Sequence, residues 1–429
     1  MPLLQQMTDL ARRAKLASRP LAGLSTAEKN QALQAMATAL EGCSPALQKA
    51  NERDLEVGHQ LGLNGAMLER LMLDHKRIVA MARGVRDVAE LPDPVGRILD
   101  ERTRPNGLRL QKVATPIGVV VIIYESRPNV TADAASLCFK SGNATILRGG
   151  KEAIHSNQLI AATMVAAGRE ALGERFPASA IQVVPTPDRE AIPALLSLTQ
   201  YIDLCMPRGG EGLIRAVADC SKVPVIKHFK GVCHVFVDRD ADPAMAASIV
   251  VNAKAQRPSV CNAAETLLID QTVAARWLPE IATQLAMRNV ELRSDPIALA
   301  LLRSRTGPVT LILRPATEQD FYTEYNDLIL NVRVVADVTA AIDHINQYGS
   351  GHSDTIVTGN EATARRFLGA VDSAAVYWNA STRFTDGGEY GMGAEIGIST
   401  DKIGARGPMG LEELCSYKWL GFGNGQIRT

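Results

Sequence analysis

A cysteine in a loop interrupted by proline is the best candidate for a nucleophile in this sequence. Cys261 follows the string Gln-Arg-Pro-Ser-Val, in which Pro258 ends a helical pattern, and a strand is expected soon afterwards at residues 266–269. The nearby Arg257 can lower the pKa of a loop thiol and so raise its thiolate fraction. Most cysteines are instead small buried residues, a role that fits those in apolar patterns, namely Cys138, Cys205 and Cys220.

An asparagine after an apolar strand could stabilise the charge that nucleophilic attack creates. Asn129 closes the string Tyr-Glu-Ser-Arg-Pro-Asn, which ends the strand expected at residues 118–124. An asparagine amide can donate a hydrogen bond to the oxygen that becomes negative in a tetrahedral intermediate. Asparagines are also common in structural turns, so this residue alone does not indicate chemistry.

Two turns that contain glycine have the composition of a nucleotide site. Arg148 and Lys151 flank a glycine pair after an apolar strand, and both cations could pair with a ribose 2′-phosphate, which favours NADP(H) over NAD(H). Gly209 and Gly210 lie between a strand and an apolar helix, where backbone N–H groups can meet a phosphate. Taken alone, the first turn is better interpreted as a solvated basic turn, and the second fits a structural tight turn equally well.

These residues depend on a framework of alternating strands and helices. From residue 116 onward, continuous aliphatic strands alternate with helical stretches, which is typical of a parallel sheet covered on both faces. Strands are expected at residues 118–124, 144–147, 181–184, 201–206 and 224–226, and helices at residues 131–140, 156–172 and 189–198. A second unit of this kind is expected from residues 235–237 to beyond residue 370.

The segment before this framework is expected to be helical and to end in a hairpin. Ser25 and Glu28 have the spacing of a capping box. The first helix is expected to face inward with Leu10, Ala14 and Leu16. Residues 98–113 contain Pro-Asn-Gly around Asn106, a strong hairpin signal, and a charged hairpin of this kind favours a contact between subunits.

Composition and charge exclude several classes of partner. Hydrophobic residues make up 46% of the 429 residues, enough for more than one core, while Lys plus Arg and Asp plus Glu both total 46. A chain without a basic excess is not expected to bind nucleic acid or an anionic membrane, and no apolar run reaches the roughly 20 residues that span a bilayer. Seven cysteines without a Cys-x-x-Cys pair favour a cytoplasmic location, and nothing in the sequence indicates a metal site.

These pieces occur together in the aldehyde dehydrogenase superfamily, and longer strings resemble those of its gamma-glutamyl phosphate reductases. The order Asn129, Arg148, glycine turn and Cys261 is similar to that of the superfamily's oxyanion asparagine, cofactor contact, nucleotide turn and catalytic cysteine. The strings, which together extend over essentially the whole chain, are Tyr-Glu-Ser-Arg-Pro-Asn-Val-Thr from Tyr124, Lys-Ser-Gly-Asn-Ala from Lys140, Leu-Arg-Gly-Gly-Lys-Glu-Ala from Leu147, Arg-Pro-Ser-Val-Cys-Asn-Ala-Ala-Glu-Thr from Arg257, His-Ile-Asn-Gln-Tyr-Gly-Ser-Gly-His-Ser from His344, Gly-Ala-Glu-Ile-Gly-Ile-Ser-Thr from Gly393 and Ala-Arg-Gly-Pro-Met-Gly-Leu from Ala405.

The resemblance implies an α/β fold of the aldehyde dehydrogenase type, with two doubly wound parallel-sheet domains and an oligomerisation hairpin. Residues 1–96 and 119–230 would form the NADP-binding domain, and residues 231–405 the catalytic domain with the cysteine. Residues 97–118 and 406–429 would pair between the subunits of a homodimer or homotetramer. Glutamate kinase would be a further partner, because the acyl phosphate that it hands over is labile.

The resemblance also implies NADPH-dependent reduction of L-glutamyl 5-phosphate to L-glutamate 5-semialdehyde and phosphate, the second step of proline biosynthesis from glutamate. Cys261 would form a thioester with this small-molecule substrate, and the Asn129 amide would hold the oxyanion. Glu324 resembles the superfamily glutamate that meets the nicotinamide ribose, with an exposed loop carboxylate as the alternative. Arg406 is the first candidate for binding the substrate's phosphate or carboxylate, and Arg127 is the second.

One departure from the wider superfamily bears on the fate of the thioester. Members that oxidise aldehydes have a Glu-Leu-Gly-Gly-Lys string whose glutamate activates water, whereas the matching stretch here is His-Phe-Lys-Gly-Val from His228. Without that carboxylate, water should attack the thioester slowly, which leaves the thioester to react with phosphate. The glycine turn also departs from the superfamily's usual form.

Three other functions remain open from the sequence. An acylating aldehyde dehydrogenase that uses coenzyme A or another acyl phosphate would share Cys261 and the missing carboxylate. A cysteine hydrolase without a redox cofactor would pair Cys261 with His228, His344 or His352. A non-catalytic scaffold would keep the fold alone, against which the intact Cys261 and Asn129 argue.

Overall fold

The computed structural model describes residues 1–428, which divide into two compact units. Unit 1 comprises residues 1–227, 391–397 and 409–428, and unit 2 comprises residues 228–390 and 398–408. The main boundary at residues 227/228 lies close to the expected one at 230/231. Residues 391–397, however, belong to unit 1 and not to the segment 231–405 in which the sequence placed them.

The helices and strands alternate as expected from residue 116 onward. The helices are α1 (Leu3–Ala22), α2 (Thr26–Gly42), α3 (Ser44–Gln60), α4 (Gly65–Leu71), α5 (His75–Glu90), α6 (Asn129–Lys140), α7 (Ile154–Leu172), α8 (Ala191–Leu196), α9 (Glu211–Cys220), α10 (Pro243–Ala255), α11 (Gln271–Ala286), α12 (Pro296–Arg303), α13 (Val338–Tyr348) and α14 (Glu361–Ala370). The strands are β1 (Ile98–Thr103), β2 (Arg109–Pro116), β3 (Val119–Tyr124), β4 (Ala144–Arg148), β5 (Ile181–Val183), β6 (Leu204–Arg208), β7 (Cys233–Val237), β8 (Ala264–Asp270), β9 (Glu291–Ser294), β10 (Ile312–Pro315), β11 (Ile329–Val335), β12 (Ser353–Val357), β13 (Ala375–Trp378), β14 (Gly397–Ser399), β15 (Gly407–Met409) and β16 (Cys415–Phe422). Over residues 1–428, no helix combines the length and the apolar composition that crossing a membrane requires.

Unit 1 contains a parallel sheet with the strand order β5-β4-β3-β6. β3 and β4 are buried along their whole length, because strands inside a parallel sheet are covered on both faces and read as continuous aliphatic runs. The prediction of a strand at residues 224–226 is wrong, since Val225 makes only an isolated bridge to Cys205 of β6. Pro224 has no N–H to donate, so the ladder cannot extend in that direction.

The helices before this sheet follow the expected pattern with one exception. The capping box at Ser25 is present, and Leu10 and Ala14 of α1 are buried. Leu16, however, is 61% exposed, because the buried face of α1 continues instead through Leu21 with a 3.6-residue period. The inward position predicted for Leu16 is therefore wrong.

The expected hairpin is present and is extended by the end of the chain. β1 and β2 pair antiparallel, and β16 adds to the other side of β2. Tyr417, Trp419 and Phe422 of β16 lie between 43% and 52% exposed, and cationic side chains of the hairpin cover their rings. The C-terminal segment therefore pairs with the hairpin of its own chain, whereas the two were expected to pair between subunits. A contact with another subunit stays a prediction.

Unit 2 contains a second parallel sheet, with the strand order β10-β9-β11-β8-β7-β12-β13. Neighbouring residues of β7 face opposite layers: Val235 packs into the core formed with α10, α11 and α12, whereas Phe236 stacks on Phe367 of α14 at a centroid distance of 6.2 Å. Helices thus cover both faces of this sheet, which confirms the predicted α/β class. The chain passes from one unit to the other at residues 227/228, 390/391, 397/398 and 408/409, and the last two of these positions lie within the short paired strands β14 and β15.

Candidate active site

The candidate nucleophile lies on a short loop of unit 2 between a helix and a strand. α10 ends at Ala255, β8 begins at Ala264, and the half-buried Cys261 sits in the turn between them. Cys138, in contrast, is fully buried, and its surroundings raise its pKa to about 12. Of these two thiols, the one on the loop is therefore the more accessible to a substrate.

A glycine and a second cysteine hold the backbone at Cys261. A Cβ atom on Gly231 would overlap the Cys261 carbonyl oxygen, so this close approach requires glycine. The thiol of Cys233 donates to the same oxygen at a distance of 3.3 Å. Burial raises the pKa of Cys233 well above its ordinary value, so Cys233 keeps its proton and acts as a donor.

The residue after the nucleophile is anchored through its side chain and its backbone. The Asn262 amide donates to the Thr385 carbonyl at 2.9 Å, and the Thr382 hydroxyl donates to the Asn262 carbonyl at 2.7 Å. The Thr385 hydroxyl in turn accepts from Ser353 at 2.7 Å. Bonds from a distant part of unit 2 thus restrict the loop.

A buried ion pair joins the two ends of the same loop. Lys254, near the end of α10, places Nζ 2.7 Å from Oε2 of Glu265 in β8, and neither side chain is more than 1% exposed. Burial raises the pKa of Glu265, and the adjacent ammonium opposes that rise. Because an unpaired charge would be costly here, the pair fixes the separation of the loop ends.

Glu324 supports the loop through Gly231. Its Oε1 accepts from the Gly231 N–H at 2.9 Å, and Gly231 is the residue that contacts the Cys261 carbonyl. The neighbouring Lys230 donates through Nζ to the Tyr322 carbonyl at 2.6 Å. The carboxylate thus has a structural partner, and its contact with a nicotinamide ribose stays a prediction.

The histidines considered as bases for Cys261 have other partners. His228 donates through Nδ1 to the Ile398 carbonyl at 2.8 Å, and its ring packs edge-on against His352. Burial lowers the pKa of His352 to about 3. Burial, and then His234 and Arg333, lower the pKa of His344 to about 2, and Nδ1 of His344 accepts from Arg333 at 3.0 Å. His344 and His352 are therefore neutral at physiological pH.

In unit 1, Asn129 is the first residue of α6, two residues earlier than the helix was expected to begin. Its Nδ2 donates to Oδ2 of the half-buried Asp133 at 2.9 Å, which fixes the orientation of the amide. Burial raises the pKa of Asp133 to about 6, and the bond from Asn129 opposes that rise.

Arg127 belongs to a strained turn just before this helix. Ser126 has a φ of 33°, which is unusual for a residue with a side chain. Both the N–H and the hydroxyl of Ser126 donate to Glu152, at 2.9 and 2.6 Å. Arg127 itself is exposed.

The two cations predicted to bind the cofactor differ in their surroundings. Arg148 is 9% exposed and donates to the carbonyl oxygens of Gly149 and Pro187, each at 3.0 Å. Lys151 is exposed at the start of a short 3₁₀ turn. Lys151 therefore presents its charge to solvent, whereas the guanidinium of Arg148 donates to backbone carbonyls of Gly149 and Pro187.

The glycine turn carries a carboxylate at the start of its helix. Gly210 is the N-cap of α9, and its N–H donates to Oε2 of Glu125 at 3.0 Å. A Cβ atom on Gly209 would overlap the same carboxylate. An anionic group thus already occupies the positive end of α9, where the cofactor phosphate was expected.

Arg406 lies on an exposed loop of unit 2 and has a carboxylate partner. Its Nη2 is 2.9 Å from Oδ1 of Asp372, and Lys402 contacts the other oxygen of that carboxylate. The bonds from Lys402 and Arg406 lower the pKa of Asp372. The charge of Arg406 is therefore already compensated in this structure.

The candidate residues fall into two groups that match the two units. Unit 2 holds Cys261, Glu324 and Arg406, and unit 1 holds Asn129, Arg127, Arg148, Lys151, Gly209 and Gly210. The sequence did not identify the supporting residues Lys254, Asn262, Glu265 and Glu125. A lysine on the apolar face of α10 was the available signal, because a buried charge requires a partner.

Comparison with known proteins identifies similar chains over the full length. The aldehyde dehydrogenase family model matches residues 4–298. A gamma-glutamyl phosphate reductase from Opitutus terrae is 53% identical over 428 residues, which are 100% of this chain and 99% of that protein. The crystal structure of the gamma-glutamyl phosphate reductase from Thermotoga maritima is 41% identical with a TM-score of 0.95, covering 99% of this chain and 100% of the other. The enzyme of the same name from Saccharomyces cerevisiae is 31% identical with a TM-score of 0.53, covering 99% and 98%.

Proposed function

Because the chain belongs to the aldehyde dehydrogenase family, and within it to the gamma-glutamyl phosphate reductases, we propose that it reduces L-glutamyl 5-phosphate to L-glutamate 5-semialdehyde and phosphate. NADPH would be the reductant and a thioester on Cys261 the intermediate, in the second step of proline biosynthesis. The observation that carries this proposal is the Cys261 loop, which an ion pair closes and a set of backbone hydrogen bonds restrains. Such support holds a nucleophile in one geometry.

Cys261 would act twice in this mechanism. Its thiolate attacks the acyl carbon, the bond from that carbon to the phosphate oxygen breaks, and a thioester remains. After hydride transfer to the thioester carbon, the sulfur leaves with its electron pair and the aldehyde is released. Asn129 stays the proposed donor to the oxyanion, for which Asn129→Ala should lower kcat by about 10²-fold.

The residues of unit 1 fit a nicotinamide cofactor. The turn at Gly209 and Gly210 presents backbone N–H groups at the positive end of α9, and the Gly210 N–H donates there to the carboxylate of Glu125. This turn, with Lys151 and Arg148, would hold NADP(H), and the exposed charge of Lys151 supports a contact with the 2′-phosphate. When bound, NADPH supplies the hydride.

The fate of the thioester follows from the stretch that begins at His228. Residues 228–232 contain no carboxylate, so the general base of aldehyde-oxidising relatives has no counterpart at these positions. Water attack is then slow, and phosphate is the nucleophile that competes for the thioester in the reverse direction.

Two further parts of the proposal concern partners and location. The exposed aromatic side chains of β16 support a contact with a second copy of the chain, in a homodimer or homotetramer. A labile acyl phosphate favours direct handover from glutamate kinase. No disulfide links the seven cysteines of residues 1–428, which supports a cytoplasmic location.

The reverse reaction tests the proposed function. Purified protein is mixed with glutamate 5-semialdehyde, NADP and phosphate, and the absorbance of NADPH is followed for wild type and for Cys261→Ala. Formation of NADPH that requires phosphate and disappears in the variant supports the proposal. Turnover without phosphate would contradict the argument from the missing carboxylate. Turnover with coenzyme A in place of phosphate would indicate an acylating aldehyde dehydrogenase.

A further inference from the structure

Arg383 is bound to the Cys261 loop near both of its ends. Its Nε donates to Oε1 of Gln256, the first residue of the loop, at 2.9 Å. Its carbonyl oxygen accepts from Nδ2 of Asn262 at 3.4 Å, and the adjacent Thr382 hydroxyl donates to the Asn262 carbonyl at 2.7 Å. These bonds keep the guanidinium beside the segment that carries the nucleophile.

The charge of Arg383 is only weakly compensated by the protein. The side chain is half-buried, and within residues 1–428 no carboxylate lies at ion-pairing distance from it. Burial lowers its pKa, the positive charge of Arg257 lowers it further, and Asp386, Cys261 and Glu389 act in the opposite sense. An arginine stays protonated under such conditions. Two guanidinium groups therefore act on one another and one of them acts on the thiol.

This environment differs from that of the arginine first considered for the substrate. Arg406 already has Asp372 as a carboxylate partner at 2.9 Å, which it shares with Lys402. A guanidinium that is neutralised by its own chain gains little from a substrate anion, whereas one without a carboxylate gains the full charge-assisted bond. The unit that holds Cys261 thus offers a better cation at Arg383.

We propose that Arg383 binds the phosphate group of the acyl phosphate beside the loop that carries Cys261. This inference rests on the proposed function. As the sulfur–carbon bond forms and the carbon–oxygen bond to phosphate breaks, an electron pair passes to the phosphate oxygen, and the guanidinium donors stabilise that added charge. The same site binds inorganic phosphate in the reverse direction. The cation also favours the thiolate form of Cys261.

Alkylation of Cys261 tests this site without turnover. The full-length protein is treated with iodoacetamide at increasing concentrations of inorganic phosphate, and modification of the Cys261 peptide is followed by mass spectrometry. Phosphate should slow the reaction in wild type and in the control Arg365→Gln, an exposed arginine of α14. In Arg383→Gln, about tenfold more phosphate should be required for the same protection. Arg383→Lys keeps the charge but loses the planar guanidinium, which can donate two hydrogen bonds to one phosphate. The phosphate concentration that protects this variant should therefore lie between those for wild type and Arg383→Gln.

Steady-state kinetics provide the second readout. In the reverse reaction, Arg383→Gln should raise the KM for phosphate at least about tenfold, while the KM for NADP stays within about twofold. An unchanged KM for phosphate in an active variant would overturn the inference and leave the proposed function intact. If phosphate protects Cys261 from alkylation in a way that depends on Arg383, but no phosphate-dependent NADPH formation is observed, the proposed function would be wrong and the anion site at Arg383 would be supported. Equal protection in wild type and Arg383→Gln would refute the site itself.

Discussion

Lys254 and Glu265 form an ion pair beneath the Cys261 loop, with Nζ and Oε2 2.7 Å apart and both side chains buried. Lys254 precedes the loop and Glu265 follows it, so this single contact sets the distance between the end of α10 and the start of β8. A charge in such surroundings is tolerated only with its partner, which makes the pair a sensitive target for substitution.

Removing the lysine should destabilise unit 2 strongly. Lys254→Met leaves the Glu265 carboxylate without its compensating charge, with an expected loss of about 3–5 kcal/mol in the free energy of unfolding. The double variant Lys254→Met/Glu265→Leu should recover most of that loss, because no charge stays buried. Urea denaturation checks both, with Arg365→Gln as the exposed-pair control. Equal losses in the single and the double variant would show that the two side chains are not coupled.

Gly231→Ala should impair chemistry more than stability. The added Cβ would overlap the Cys261 carbonyl oxygen, so the loop must move, and a displacement of about 1 Å at a nucleophile can cost about 10²-fold in rate. We expect this loss in kcat with little change in NADPH affinity. Gly369→Ala, in α14 with open space around the new Cβ, is the matched control. Full activity in Gly231→Ala would contradict the importance of this contact.

Glu125→Gln should tighten the binding of the cofactor. The carboxylate now accepts from the Gly210 N–H at 3.0 Å and would repel an incoming phosphate at the start of α9. Loss of the charge should lower the Kd for NADPH about threefold to fivefold at low ionic strength, and less at high salt. Fluorescence titration of NADPH measures this, with Glu52→Gln on the exposed face of α3 as the control. Weaker binding would mean that Glu125 contacts the cofactor favourably.

The stability contribution of Asp133 should depend on pH. Burial raises its pKa to about 6 from the 3.8 of an ordinary aspartate, so the folded protein holds this proton more tightly than the unfolded chain does. The contribution of protonated Asp133 to the free energy of unfolding is therefore fully present below about pH 4, and it is lost as the pH rises through about 6. Asp133→Asn, which stays neutral, should gain in Tm over wild type between these values and keep that gain above them. A Tm difference between Asp133→Asn and wild type that does not change with pH would refute the shift.

The fold could be predicted where a strand is an uninterrupted aliphatic run. β3 and β4 are of this kind, and their burial on both faces follows directly from their composition. The segment at Val225 is apolar as well, but Pro224 removes a donor, and only an isolated bridge forms. Apolar composition did not lead to burial in this segment, where Pro224 is exposed and Val225 half-buried, and pairing depends on which N–H groups are available.

The candidate site could be predicted only where local spacing carries the information. Pro258 ends a helix, which places Cys261 on a loop, and the glycines after β6 mark the start of a helix. The contact of Arg383 with Gln256 joins residues 127 positions apart, and no local pattern encodes such a pairing. The hydrogen bond from the Gly210 N–H to the Glu125 carboxylate likewise depends on the parallel pairing of β3 with β6, which brings the ends of these two strands together.

The antiparallel pairing of β16 with β2 has a consequence for synthesis of the chain on the ribosome. Arg97 and Glu412, which meet beside this sheet, are 315 positions apart, so the hairpin emerges long before the strand that covers its open edge. All of unit 2 is translated before β16. A nascent chain therefore completes its second unit while the first still exposes an unpaired edge strand, which is the stage at which translational stalling or truncation would favour aggregation.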